Sequence, residues 1–255
     1  MNRFFLSLNC FQKNKILFPT EVSHQILNVL RLREGDQVQV LDNQGSVFDV
    51  VLDKDQGDGC LIGRIRATNQ EEAEPKTRIA LHFGLTSREK VEWILQKGTE
   101  IGVASFHPFV SSRTMVQSTE LTQQRRLRWE KILREAAEQS HRGLLPELST
   151  PMTFQRNLAL AAEKNDICLI AWEGASPVED AIRGVLDDQR GRAGKMALLV
   201  GPEGGFSNEE IEQAQSCGCR VVSLGKGIMR METAAIVFPA LVLYELETCL
   251  HENIY

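Results

Sequence analysis

The chain has little that advertises a partner. Its 255 residues carry a net charge of −5, so the global field repels a phosphate backbone and any nucleic-acid contact must come from a local basic surface. Long hydrophobic runs are missing. The longest apolar stretch, Ala234 to Leu243, contains Pro239 and falls well short of the roughly 20 residues a membrane span needs. The opening segment from Met1 to Cys10 is too short and too polar for a signal peptide. A soluble, cytoplasmic protein without membrane attachment is expected. The six cysteines include no C-x-x-C pair, and the C-G-C of Cys217 and Cys219 has no second pair or histidine cluster nearby. That spacing argues against structural zinc and for reduced thiols. His24, His82, His107, His141 and His251 are too scattered for a metal site, so no metal is expected. Internal repeats and low-complexity tracts are also absent.

What is present suffices for a sizeable core: 42% of residues are hydrophobic and 25% charged. The first seventy or so residues read as short strands. Gln37–Leu41 and Ser46–Leu52 flank Asp42-Asn43-Gln44-Gly45, a hairpin turn of residues that tolerate positive φ. Cys60 to Ala67 alternates as a further strand, and one helix is expected over Glu21 to Leu30, ended by Glu34-Gly35-Asp36. The polar, acidic Asn69–Pro75 stretch reads as a linker, which divides the chain into a β-domain, 1–72, and a second domain, 73–255.

Beyond the linker, strands and helices alternate. Strands are expected at Arg78–Leu85, Val103–Val110, Asp166–Trp172, Met196–Val200 and Arg220–Ser223. Helices are expected at Lys90–Gly98, with Val91, Ile94 and Leu95 on one face, at Glu120–Gln139, and from about Thr233. Ser176-Pro177-Val178-Glu179 and Ser207-Asn208-Glu209-Glu210 both read as helix starts with a capping serine. This alternation predicts an α/β domain with a mostly parallel sheet, and the apolar Met196–Val200 run suits a strand buried on both faces.

Two glycine-bearing loops follow the last two strands: Gly201-Pro202-Glu203-Gly204-Gly205-Phe206 and Leu224-Gly225-Lys226-Gly227-Ile228-Met229-Arg230-Met231-Glu232-Thr233-Ala234. Ligands of α/β sheets bind outside the carboxyl ends of strands, and glycine lets backbone groups approach a ligand directly. Neither loop is a P-loop, since Phe206 stands where the second glycine would be. Gly225-Lys226-Gly227 is no dinucleotide fingerprint, because Arg230 occupies the third glycine position.

The pair G-P-E-G-G-F-S and L-G-x-x-I-M-R-M-E-T-A resembles the knotted SPOUT methyltransferases, and more narrowly the ribosomal RNA small subunit methyltransferase E family. Val29–Asp36, Lys97–Val103 and Glu135–Arg142 fit the same family, so the resemblance spans nearly the whole chain. Met229 and Met231 stand where the family more often has Leu and Thr. The resemblance implies a PUA-like β-barrel that helps to bind RNA, joined to an α/β domain with a mostly parallel sheet and a deep trefoil knot. It further implies a homodimer, S-adenosylmethionine as methyl donor, and methylation of N3 of the uracil-1498 type site in 16S ribosomal RNA, within the small ribosomal subunit. Leu199, Gly201, Leu224, Gly225, Ile228, Met229 and Thr233 match its cofactor-contacting positions. The rival readings are a SPOUT enzyme acting on another RNA or at a ribose 2′-hydroxyl, and a non-catalytic RNA-binding assembly factor.

Methylation at N3 requires the imide proton to leave and the resulting anion to be stabilised. Arg230 is the expected anion stabiliser, with Arg142 as its alternative, and Glu203 and Glu232 are the candidate bases. An ion pair of Arg230 with either glutamate, or helix capping by Glu232, would give these residues purely structural roles. Between Arg113 and Arg142, seven basic residues face four acidic ones. That excess could meet a phosphate backbone or be a solvated face laced with pairs such as Glu130 with Arg134. Arg3, Arg31, Arg33, Arg113 and Arg142 are the expected RNA contacts.

Overall fold

The computed structural model describes residues 1–53, 61–70, 74–189 and 194–251, with side chains as far as Glu247. Its contacts divide the chain into two compact units, one of Met1–Glu74 with Arg134–Leu145 and one of Pro75–Leu133 with Pro146–Tyr255.

The first unit is a six-stranded sheet of β1 (Arg3–Phe5), β2 (Phe11–Gln12), β3 (Lys15–Leu17), β4 (Gln37–Leu41), β5 (Ser46–Leu52) and β6 (Ile62–Gln70), with α1 (Thr20–His24) between β3 and β4. The order is β1-β4-β5-β6-β3-β2, antiparallel apart from β1 with β4. Val38 and Val40 alternate inward with Gln37 and Gln39 outward, the period-two pattern of a half-buried strand. On β5, Phe48, Val50 and Leu52 face one core, while Val47 faces the other with Phe5, Leu41 and Ala137. The register shift between Asp49 and Val50 leaves Arg66 of β6 without an opposite residue, so the bulge sits on β6 and the alternation along β5 runs past it unbroken. The expected hairpin is present, with positive φ at Asn43 (58°) and Gly45 (95°).

Two expectations change here. The helix predicted over Glu21–Leu30 is one α-turn followed by a π-helical turn, Gln25–Val29. It ends at Arg31 in a left-handed conformation (φ 57°), before the Glu34-Gly35-Asp36 turn. The predicted linker is strand as far as Gln70, because Asn69 and Gln70 pair with Val47 and Ser46. Cys60 and 71–73 lie outside the described residues. Residues 134–145 complete this unit. Arg134 donates to the carbonyl of Phe5 at 2.5 Å, Glu138 accepts its amide at 3.0 Å, and Ala137 packs with Phe5, Leu41 and Val47.

The second unit runs β7 (Arg78–Gly84), α2 (Arg88–Ile101), β8 (Ser105–Val110), α3 (Gln123–Gln139, which enters the first unit at Arg134), β9 (Glu147–Leu148), β10 (Met152–Thr153), α4 (Phe154–Lys164), β11 (Ile167–Ala171), α5 (Ile182–Val185), β12 (Lys195–Val200), α6 (Asn208–Ser216), β13 (Arg220–Val222) and α7 (Met231–His251). Its sheet has the order β10-β8-β7-β12-β11-β13, with β9 beside β8, and every pairing is parallel. On β12, Met196, Leu198 and Val200 join a core containing α2 and α7 side chains, whereas Ala197 and Leu199 join one built on α4 and α6. Both faces are covered, as the unbroken apolar run predicts. After β13 at the sheet edge the chain turns back, and α7 packs on β7, β12 and α2 near the middle of the sheet.

Ser207 forms the expected capping box with Glu210. Ser176 does not start a helix of any length. It accepts from Glu179 N at 3.2 Å and donates its own amide to Asp180, but the chain makes only a turn before the four residues of α5. The last helix begins at Met231, so Glu232 lies in its first turn.

Candidate active site

A pocket of about 580 Å³ opens at the carboxyl ends of β11, β12 and β13. Its walls are the loops Trp172–Pro177, Gly201–Phe206 and Ser223–Arg230, the first turn of α7, and Lys90 from α2. A larger, more open depression of about 770 Å³ runs along α5 and the start of β13. It lies away from the strands' carboxyl ends and contains neither glycine loop, so the smaller pocket is the candidate site.

The loop after β12 is built tightly. Gly205 has φ +68°, a conformation that favours glycine, and a Cβ there would displace the Glu173 carboxylate, which lies 2.5 Å away. Arg113 donates from Nη1 to the carbonyls of Gly204 and Phe206, each at 3.1 Å. Phe206 is buried beside Phe109 and Phe154. The next residue caps α6, and the buried Glu210 carboxylate is satisfied by Ser207 N, Ser112 N and Ser112 Oγ, each at 3.0 Å. The loop after β13 has fewer ties. Ser223 Oγ meets both backbone groups of Gly225 at 3.3 Å, Leu224 and Met229 lean on the core, and Ile228 is 88% exposed.

Charged groups converge at the mouth. Lys90 Nζ lies 3.1 Å from Glu203 Oε1 and 3.3 Å from Glu232 Oε2. The buried Thr86 hydroxyl also donates to Glu203 Oε1. The hydrogen bond to Glu203, supported by the nearby Glu232 carboxylate, holds the Lys90 ammonium above its usual range despite partial burial. Burial pushes the Glu203 carboxyl up, but donation from Thr86, its own amide and Lys90 together bring it below the usual range. Glu232 is buried, and its Oε2 meets Lys90 as an ion pair without hydrogen-bond geometry. Arg230 is exposed at the pocket wall, with its carbonyl accepting from Ala234 N in the first turn of α7 at 2.9 Å. Its guanidinium makes no ion pair or hydrogen bond among the described residues. Both glutamates that could have neutralised it are engaged by Lys90.

The pocket therefore gathers Glu203, Glu232, Arg230, Gly201, Leu224, Gly225, Ile228 and Met229. Two expected cofactor residues do not line it. The Leu199 side chain is buried on the far face of β12 with Phe154 and Phe206, and Thr233 points outward from α7. Arg113 braces the β12 loop. Arg3, Arg31, Arg33 and Arg142 belong to the first unit. Arg31 and Arg33 are exposed there, and Arg3 donates to His141 O at 2.8 Å. Arg142, expected on an RNA-facing surface or as an anion stabiliser, is instead buried against Glu74, with Nη2 to Oε2 at 2.6 Å. Lys90 was missed, although the rule that drew attention to the carboxyl ends of β12 and β13 applies equally to β7, which α2 follows. Among the described residues no cluster of three His, Cys, Asp or Glu side chains could hold a metal ion.

Residues 72–243 match the family described as the RNA methyltransferase domain. Over 97% of its length the chain is 32% identical to the ribosomal RNA small subunit methyltransferase E of Bacillus subtilis, covering 98% of that protein. It is also 32% identical to the Synechocystis protein of the same name, over 87% of this chain and 70% of that one. The crystal structure of a ribosomal RNA small subunit methyltransferase E from Neisseria gonorrhoeae, bound to S-adenosyl methionine, matches with a TM-score of 0.80 at 27% identity, covering 96% of this chain and 97% of that one. Fold and site thus define an RNA methyltransferase, with a PUA-like half-barrel and a knotted SPOUT sheet domain. More narrowly, the chain belongs to the ribosomal RNA small subunit methyltransferase E family.

Proposed function

We propose that this chain transfers a methyl group from S-adenosylmethionine to N3 of a uridine, the uracil-1498 type site, in 16S ribosomal RNA of the small subunit. The observation that carries this reading is the pocket itself. Glycine loops, two carboxylates and an unpaired arginine meet where a parallel sheet places its ligands. The residues suit the donor: a pocket of about 580 Å³ is in the range that encloses a nucleoside-sized ligand. At Gly225 and Gly227 a Cβ would meet nothing within 4 Å, so bare backbone faces open space. When bound, S-adenosylmethionine supplies an electrophilic methyl on a sulfonium. Gly201, Leu224, Gly225, Ile228 and Met229 would hold it, with Leu199 and Thr233 contributing through backbone atoms.

The protein's part is to align the acceptor and manage charge. Arg230, free to turn toward the pocket, stabilises the anion that forms as the imide proton leaves. Glu232 or Glu203 accepts that proton. Exposed Arg31 and Arg33, with Arg3, grip RNA from the first unit, and the 1–72 segment is its RNA-binding domain, with 73–255 the catalytic one. The active form is a homodimer, supported by Trp93 on α2 and Leu241 and Tyr244 on α7, large apolar side chains that stand exposed.

The test is methyl transfer from labelled S-adenosylmethionine to small subunits lacking their native modifications, followed by nucleoside mass spectrometry. Appearance of 3-methyluridine is expected. A methylated, nuclease-resistant dinucleotide would instead place the product on a ribose. No incorporation into any RNA would leave a binding protein.

A further inference from the structure

Lys90 touches both candidate bases, yet the two carboxylates are held differently. Glu203 is part-exposed, and its Oε1 already accepts from Thr86 and from Lys90 at 3.1 Å. Two donors on one oxygen stabilise the ionised carboxylate and make it a poorer proton acceptor. Glu232 has a side chain only 7% exposed, and its Oε2 has no hydrogen bond, only the Lys90 cation at 3.3 Å. A buried carboxylate stays ionised only when something compensates its charge. Lys90 does so here, helped by the N-terminal turn of α7.

Resting on the proposed N3 methylation, we propose that Lys90 is a positioning residue that makes Glu232 the proton acceptor and keeps Glu203 as a permanent counter-ion. The charges then balance. Before reaction the trio carries one net negative charge and the sulfonium donor one positive charge. The N3–H bond breaks with its proton going to Glu232, and its electron pair forms the N3–C bond as the methyl's C–S bond breaks toward sulfur. The trio becomes neutral, with Lys90 left to Glu203 alone; the negative charge lies on the uracil only in passing, where Arg230 meets it, and is cancelled when the sulfonium gives up its methyl. Neither Glu203 nor Lys90 exchanges a proton.

The experiment compares wild type, Lys90→Met, Lys90→Arg, Glu203→Gln, Glu232→Gln and the Lys90→Met/Glu203→Gln pair. It measures single-turnover methyl transfer against pH, cofactor affinity by calorimetry, and the protonated-carboxyl infrared stretch without RNA. Lys90→Met should move the acid limb of the rate profile, and the infrared titration of Glu232, upward by about one pH unit, about tenfold in the ionised fraction. Cofactor affinity should hardly change. Lys90→Arg should restore the limb, and adding Glu203→Gln to Lys90→Met should bring it part of the way back by removing the facing charge. Glu232→Gln should lose about 10²-fold in rate, and Glu203→Gln much less. If Lys90→Met does not fold, Lys90→Gln is read in its place with the same expectation. An unmoved limb, or a limb abolished by Glu203→Gln rather than by Glu232→Gln, would overturn the assignment while leaving uridine methylation standing. A wild-type protein that transfers no methyl to RNA would overturn the underlying reading and this inference with it.

Discussion

The two glycine loops that wall the pocket are made on opposite principles. The β12 loop is finished before any ligand arrives: Arg113 holds two of its carbonyls, Phe206 anchors its end and a capping box follows. The β13 loop is held chiefly at its ends, by Ser223 and by the start of α7, and it offers Ile228 and Arg230 to solvent. Rigid backbone on one wall sets position, while an adaptable wall can close on a ligand and on the charge that develops.

This contrast can be broken at graded strengths. Arg230→Ala removes one of the adaptable wall's two cations, leaving Lys226, and should cut turnover by about 10³-fold, with cofactor affinity and melting temperature unchanged. Single-turnover kinetics beside calorimetry would check it, and equal loss of cofactor affinity would place Arg230 in the rigid frame instead. Gly205→Val forces a side chain into Glu173 at positive φ and should cost about 3 kcal/mol of stability, measured by chemical denaturation. The same change at Gly227, where a Cβ meets nothing, should cost much less.

Acid acts on the scaffold beneath both loops. His82 and His107 stack at 4.5 Å on neighbouring strands, with His82 Nδ1 2.7 Å from Asn157 Oδ1. Burial first, then the neighbouring His107, lowers His82 to about 3. Burial, then Lys164, lowers His107 to about 4. The folded protein thus binds fewer protons than the unfolded chain between these values and 6.5. Stability is unaffected above pH 6.5 and falls as pH drops below it, by about 2 kcal/mol for each histidine at pH 5. His82→Gln should flatten that dependence in denaturation curves taken across pH. Neither loop contains a histidine, so both should be lost together. Arg113→Ala should loosen only the β12 loop, weakening cofactor binding by about 1.5 kcal/mol. Smallest of all, Ile228→Ala should leave stability within about 0.5 kcal/mol, since the side chain is exposed, while still weakening the cofactor complex.

The sequence was most informative where the determining interactions are local. Ser207 and Glu210 sit three residues apart and cap each other, Asn43 and Gly45 turn a hairpin, and Met196–Val200 declares burial on both faces. Ser176 shows the limit. Its cap chemistry forms, but nothing downstream supports more than one turn of helix before α5. The bulge at Arg66 depends on the partner strand, and the π turn with the left-handed Arg31 after it was equally invisible. At the site, the glycine loops were readable because backbone demands leave a residue signature. Lys90 was not, because its two partners are 113 and 142 positions away and a lysine in a helix's first turn carries no signal of its own.

The pairing of Arg142 with Glu74 bears on biosynthesis. The Glu74 carboxylate collects Arg142 Nη2 at 2.6 Å and the amides of Gly143 and Leu144 at 3.0 and 3.1 Å. This clasp joins points almost seventy residues apart. On the ribosome the first unit therefore cannot finish folding when its six strands have emerged. It must wait until β7, α2, β8 and α3 have followed, so the half-barrel closes only after part of the sheet domain has been made, while β9 to α7 are still to come.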